Sequence, residues 1–132
     1  MITDNPMRII VVDDSEAVRE LLSLILRNEG FEVTKSENGK DALEKLDEVY
    51  VDMLITDLYM PEMDGLQLVE KLRSSSKHKL LPVIMVSSEN HEAIIKKAKQ
   101  IGVDEWLMKP FIHSDLMSVV RKCMHSQTLQ KA

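Results

Sequence analysis

A single cysteine, Cys123, stands in the 132 residues, so no disulfide can close within the chain. The start MITDNPMRII lacks the charged region and apolar core of a secretory signal, and no apolar run exceeds about five residues, against the ~20 needed to cross a bilayer. These absences predict a soluble protein of the reducing cytoplasm with no membrane insertion. A formal net charge of -5 counts against direct nucleic-acid binding. No glycine-rich phosphate loop follows the first apolar run, where the sequence reads DDSEA, which excludes a plain nucleotide-binding module. His78, His91, His113 and His125 show no metal-ligand spacing with one another or with Cys123, and they read as solvent-facing or capping residues. There is no repeat, low-complexity tract or linker. The length suits one domain, residues 1–132 with a core of about 7–125, able to bury roughly two-thirds of the surface of its unfolded form.

Four short apolar runs each end in a residue able to do chemistry. RIIVVDD closes on Asp13 and Asp14, MLITD on Asp57, VIMVSS on Ser87 and WLMK on Lys109. Near-continuous apolar runs mark parallel strands buried on both faces, and ligands of open α/β sheets gather beyond the carboxyl ends of the strands. Three acids, a hydroxyl and an amine are thereby expected in one small volume.

Between the runs lie helical patterns, five in all, the rhythm of repeated βα units. The first helix starts at or just after Ser15, buries Val18, Leu21, Leu22 and Ile25, and stops before Gly30. Residues 31–36 read as the second strand. A helix after Asn38 and Gly39 buries Ala42, Leu43 and Leu46, and residues 53–56 form the third strand. In the loop LYMPEMDG, Pro61 and Gly65 are turn punctuation and Asp64 caps a helix burying Leu66, Val69 and Leu72. Residues 74–79 form a surface loop and 82–86 the fourth strand. The helix at 91–101 buries Ile94, Ile95, Ala98 and Ile101 and stops at Gly102. A short strand at 105–108 precedes a last helix, N-capped by Ser114, that buries Leu116, Val119, Val120 and Cys123 and frays from Ser126. The methionines, among them Met53, Met85 and Met108, read as core gap-fillers.

If the first and third strands lie side by side, Asp13, Asp14 and Asp57 become neighbours. At ~5 Å and an effective dielectric near 20, one carboxylate pair costs roughly 3 kcal/mol, so a cation is expected there. Oxygen ligands suit Mg²⁺. A carboxylate beside Mg²⁺ can attack a phosphoryl donor, and Asp57, solitary at its strand end, is the better nucleophile. Lys109 and Ser87 are placed to neutralise and hydrogen-bond the transferred group.

The segments VVDDS, LITDLYMPEMDG, VSSEN and LMKPF together resemble, over essentially the whole chain, the receiver domain of two-component response regulators. The resemblance implies a doubly wound, flavodoxin-like α/β fold, a five-stranded parallel sheet in order 2-1-3-4-5 with helices on both faces. It implies Asp57 as phosphoacceptor, and Mg²⁺ held by Asp14 directly, Asp13 through water, Asp57, and the backbone carbonyl of Tyr59. Ser87 fills the hydroxyl switch position, and Lys109 precedes a peptide bond that is commonly cis in the family. Trp106 holds the aromatic switch position, where relatives mostly carry Tyr or Phe; a buried indole needs space and a partner for its N–H, so Trp106 is expected to stay partly exposed or to rotate less. Tyr59 and Glu89 flank the acceptor, and a bulky Tyr59 is expected to obstruct an attacking water.

Implied partners are a histidine kinase or histidine phosphotransferase, and a downstream protein bound through the face of the fourth helix, fifth strand and fifth helix, with Lys96, Lys97, Trp106 and Arg121 as candidate contacts. The expected role is a stand-alone, phosphorylation-switched regulator rather than an enzyme acting on others, in chemotaxis or motility; the alternatives are a phosphorelay or phosphate-sink receiver, or the receiver part of a longer transcription regulator. An Asp-nucleophile phosphohydrolase is disfavoured, since the position two residues after Asp57 holds Tyr59 and not a second acid.

Overall fold

The computed structural model describes residues 6–131, with side chains as far as His125; of the polar lead at residues 3–6, all but Pro6 lies outside the described residues. Strands and helices alternate as β1 (Arg8–Val12), α1 (Glu16–Asn28), β2 (Glu32–Ser36), α2 (Gly39–Glu48), β3 (Met53–Asp57), α3 (Gly65–Arg73), β4 (Val83–Ser87), α4 (Glu92–Ile101), β5 (Glu105–Met108) and α5 (His113–Lys131). The strands form one sheet in the order β2-β1-β3-β4-β5, every neighbouring pair parallel. This is the doubly wound arrangement expected. β1 and β3 lie in contact, with Val12 opposite Thr56, so the acids that follow them share one edge.

Successive side chains of a strand point to opposite faces, and here both faces are covered. Ile10, Val12, Leu54, Val83 and Met85 pack on one side with Ala42 and Leu46 of α2, Leu68, Val69 and Leu72 of α3 and Ala98 of α4. Ile9, Val11, Met53, Ile55, Ile84 and Val86 pack on the other with Leu22 and Leu26 of α1 and Leu116, Val120 and Cys123 of α5. Burial of each such aliphatic side chain is worth about 1.5–3 kcal/mol. The helix starts are set by short polar side chains. Ser15 accepts from the Val18 amide, Asn38 from Asp41, and Asp64 from Gln67, whose own side chain accepts from the Asp64 amide in a reciprocal capping box.

Several expectations need correction. On α1 the buried stripe is Leu22, Ser23 and Leu26, and Leu21 is 47% exposed. The run LLSLIL is apolar enough to offer two stripes, and the one chosen admits Ser23 because its hydroxyl donates to the Arg19 carbonyl. On α3, Leu68 is buried where Leu66 was expected, Leu66 being half-buried; on α5, Met117 is buried and Val119 half-buried. Ser114 is not the cap of α5. The helix begins at His113, and the Asp115 carboxylate accepts from the Ile112 amide. α5 runs to Lys131, past Ser126. Met108 ends the edge strand exposed. His78 is mostly buried, and burial holds its imidazole below the usual histidine range. Cys123 is buried as expected, its thiol pushed up to about 12, chiefly by burial. Among the described residues no helix is long and apolar enough to cross a membrane.

Candidate functional site

The carboxyl ends of β1, β3, β4 and β5 meet at one edge. Carboxylate oxygens of Asp13, Asp14 and Asp57 lie within 4.8 Å of one another. Lys109, on the residue after β5, sets its Nζ 3.2 Å from Asp57 Oδ1 and 3.5 Å from Asp13 Oδ2. Asp57 Oδ1 also accepts from the Leu58 amide at 2.9 Å. Asp13, 1% exposed, is oriented by the Ser15 amide on its Oδ1 and by Arg19, whose Nη1 donates to the Asp13 carbonyl at 2.6 Å. Asp14 is exposed at the mouth.

Burial, and after it the Asp13 charge, push the Asp57 carboxyl above the usual carboxylate range, while the Lys109 ammonium draws it down. One ammonium does not balance three clustered carboxylates. The set is all hard oxygen donors, partly open to solvent, so the residues present fit a divalent cation such as Mg²⁺.

Ser87 ends β4 one position beyond Val86, which pairs with Asp57, and is 2% exposed. Its Oγ accepts from the Glu89 amide at 2.9 Å, and its carbonyl from the Lys109 amide at 2.9 Å. The Lys109–Pro110 peptide is cis. Tyr59 is 56% exposed and donates from its hydroxyl to Glu89 Oε1 at 2.5 Å. That bond raises the Tyr59 hydroxyl and lowers the Glu89 carboxyl from their ordinary values. Trp106 is not at this edge. It pairs with Met85, two positions down β5 from Met108, and packs half-buried on the α4 side of the sheet, its indole N–H without an acceptor.

Gly65 went unrecognised as part of the site. A Cβ there would lie 2.4 Å from the Asp57 carbonyl oxygen and 2.8 Å from Met85 Sδ. The first turn of α3 therefore sits directly on the backbone of Asp57, and its amide donates to the Leu58 carbonyl at 2.7 Å. The dipeptide Asp64–Gly65 was the available signal, since a cap followed by a residue without Cβ allows that approach.

The chain matches the family model of the response regulator receiver domain over residues 9–121. It is 43% identical over 112 residues to the two-component response regulator ORR11 of Oryza sativa subsp. indica, spanning 84% of this chain and 76% of that protein. It is likewise 43% identical over 107 residues to the chemotaxis protein CheY1 of Helicobacter pylori, spanning 80% and 86%. The solved structure of the chemotaxis protein CheY4 of Vibrio cholerae superposes with a TM-score of 0.87 at 30% identity, over 90% of this chain and 99% of that one. The chain belongs to the response regulator receiver domain family. Receiver domains are signalling switches of two-component systems, and they bind Mg²⁺ at an acidic pocket.

Proposed function

We propose that the chain is a phosphorylation switch of the cytoplasm, residues 1–132 forming one receiver domain, with Asp57 as its phosphoacceptor. The observation that carries this is the placement of Asp57: a carboxylate closing β3, clustered with Asp13 and Asp14 and contacted by Lys109, which also reaches Asp13. Asp13, Asp14, Asp57 and the Tyr59 carbonyl would hold Mg²⁺, which when bound supplies the positive charge that phosphoryl oxygens need. The donor is a phosphohistidine of a histidine kinase or histidine phosphotransferase. An Asp57 carboxylate oxygen forms a bond to phosphorus as the P–N bond breaks, and the electron pair of that bond leaves on the imidazole nitrogen, which takes up a proton.

Lys109 and the Ser87 hydroxyl then contact the phosphoryl oxygens, and the dianionic group, one negative charge more than the carboxylate it replaces, biases the loop after β4 and the face of α4, β5 and α5. Output follows through contact with a protein partner on that face, where Lys96, Lys97 and Arg121 are exposed and Trp106 is half-buried. The likeness to chemotaxis proteins supports an output of that kind. Mass spectrometry of the intact protein after incubation with a small phosphodonor, with Mg²⁺ or with chelator, tests the reading. One phosphoryl group should be added in Mg²⁺ alone and none to Asp57→Asn; a native chain that gains nothing would overturn it.

A further inference from the structure

Helix α4 is held at its ends more firmly than along its length. Ala98 is its one fully buried residue, with Ile94, Ile95 and Ile101 half-buried. At its C-terminal end stands Arg73, the last residue of α3, mostly buried. Its Nη2 and Nε donate to the Gly102 carbonyl at 2.6 and 3.2 Å, and its Nη1 to the Lys79 carbonyl at 3.1 Å. Gly102 ends the helix at φ +110, and a Cβ there would lie 2.6 Å from Arg73 Nε, so guanidinium and glycine interlock. A cation on the last carbonyls also meets the negative end of the helix dipole.

The N-terminal end is held by Glu89. Its Oε1 accepts from the Tyr59 hydroxyl, its Oε2 from the His91 amide at 2.9 Å, and its own amide donates to Ser87 Oγ. His91 in turn caps α4, its Nδ1 accepting from the Ala93 amide at 3.2 Å. One residue thus ties together the loop after Asp57 and the first turn of α4 through its carboxylate, and the Ser87 hydroxyl through its amide.

We propose that Arg73 and Glu89 are the two positioning residues of α4: Arg73 a fixed pivot at its C-terminal end, Glu89 a latch at its N-terminal end that opens when Asp57 is phosphorylated. The inference rests on Asp57 being the phosphoacceptor. A phosphoryl group brings three acceptor oxygens and negative charge. When Ser87 turns its hydroxyl toward it, the Glu89 amide loses its acceptor, and the new charge competes with the Glu89 carboxylate for the Tyr59 donor. Among the described residues, the bonds Arg73 makes to Gly102 and Lys79 include none to the acidic cluster, so that end keeps them. The N-terminal turn swings, carrying Ile94 and Ile95, while Gly102 stays in place.

Amide-resolved hydrogen exchange tests this on the full chain. With the small phosphodonor and Mg²⁺, the amides of Ala93, Ile94 and Ile95 should exchange on the order of tenfold faster, and those of Gly102 and Val103 should be unchanged. Unphosphorylated Tyr59→Phe, which removes only the link across the loops, should loosen the same first turn. Arg73→Lys should loosen Gly102 and Val103 instead. Equal loosening at both ends, or none at the first turn in protein whose mass confirms phosphorylation, overturns the proposal. Absence of a mass gain sinks the phosphoacceptor reading, and the latch is then judged by Tyr59→Phe, where unchanged exchange at Ala93 to Ile95 rejects it.

Discussion

Replacing Asp57 should stabilise the resting fold. At an effective dielectric of about 20, Lys109 at 3.2 Å attracts the Asp57 carboxylate by about 5 kcal/mol, while Asp13, no more than 4.8 Å away, repels it by at least about 3.5 kcal/mol. Exposed Asp14 adds a smaller, screened repulsion, so the charge terms nearly cancel and desolvation decides the sign. Burial is also the first cause of the raised Asp57 pKa. Taking about 2 kcal/mol for a carboxylate at the mouth of a cleft, below the several kcal/mol of a fully buried ion, Asp57→Asn should gain about 2 kcal/mol at neutral pH. For 132 residues that is a rise in Tm of about 7 °C in chelator.

The pH dependence has a definite sign. Because the folded carboxyl binds its proton more tightly than the unfolded one, its favourable contribution is complete below the ordinary 3.8 and is lost as pH rises through the raised value. Asn has no such loss. Urea titrations of both proteins across that window in chelator should therefore show the advantage of Asp57→Asn growing with pH to a plateau, and Mg²⁺ should shrink it by stabilising the native cluster. An Asp57→Asn protein less stable than the native chain at neutral pH without Mg²⁺ would refute the claim that the cluster is strained.

Gly65→Ala must displace the Asp57 backbone and should cost about 1–3 kcal/mol, whereas Gly30→Ala, at φ +97 with nothing within 4 Å of the added Cβ, should cost about 1 kcal/mol; thermal melts in the opposite order would contradict the contact with Asp57. Tyr59→Ala should speed loss of the phosphoryl group at least about threefold, or about 0.7 kcal/mol of barrier, in a radiolabel or mass-decay assay, and an unaltered rate removes Tyr59 as the obstruction. Trp106 emission should change on confirmed phosphorylation, since its half-buried indole packs against the same core cluster as Ile94 of α4; a constant spectrum places the motion elsewhere.

Strand ends were readable because they are local. A buried parallel strand declares itself as an apolar run, and the residue that stops the run is the one at the ligand edge, which is how Asp13, Asp14, Asp57, Ser87 and Lys109 could be placed before any contact between them was known. Their adjacency was not local, and it needed the β1–β3 pairing that only topology supplies. Helix faces were harder. In LLSLIL the periodicity permits two stripes, and burial of Ser23 in place of Leu21 depends on a hydroxyl finding the Arg19 carbonyl, which no count of apolar residues registers.

Least readable were side chains whose partners are backbone carbonyls. Arg73 is, in sequence, one more basic residue in the last turn of a helix, and the Gly102 carbonyl it caps belongs to another helix 29 residues on. Equally, the apolar period of α4 names Ile94, Ile95 and Ile101 as its inner face without showing how little covers them. That combination, a helix weakly buried and strongly bonded at its ends, is what lets a change at one carboxylate be felt at one end of α4. A helix buried along its whole length would resist the same charge, because its aliphatic packing would outweigh the one or two hydrogen bonds that phosphorylation can redirect.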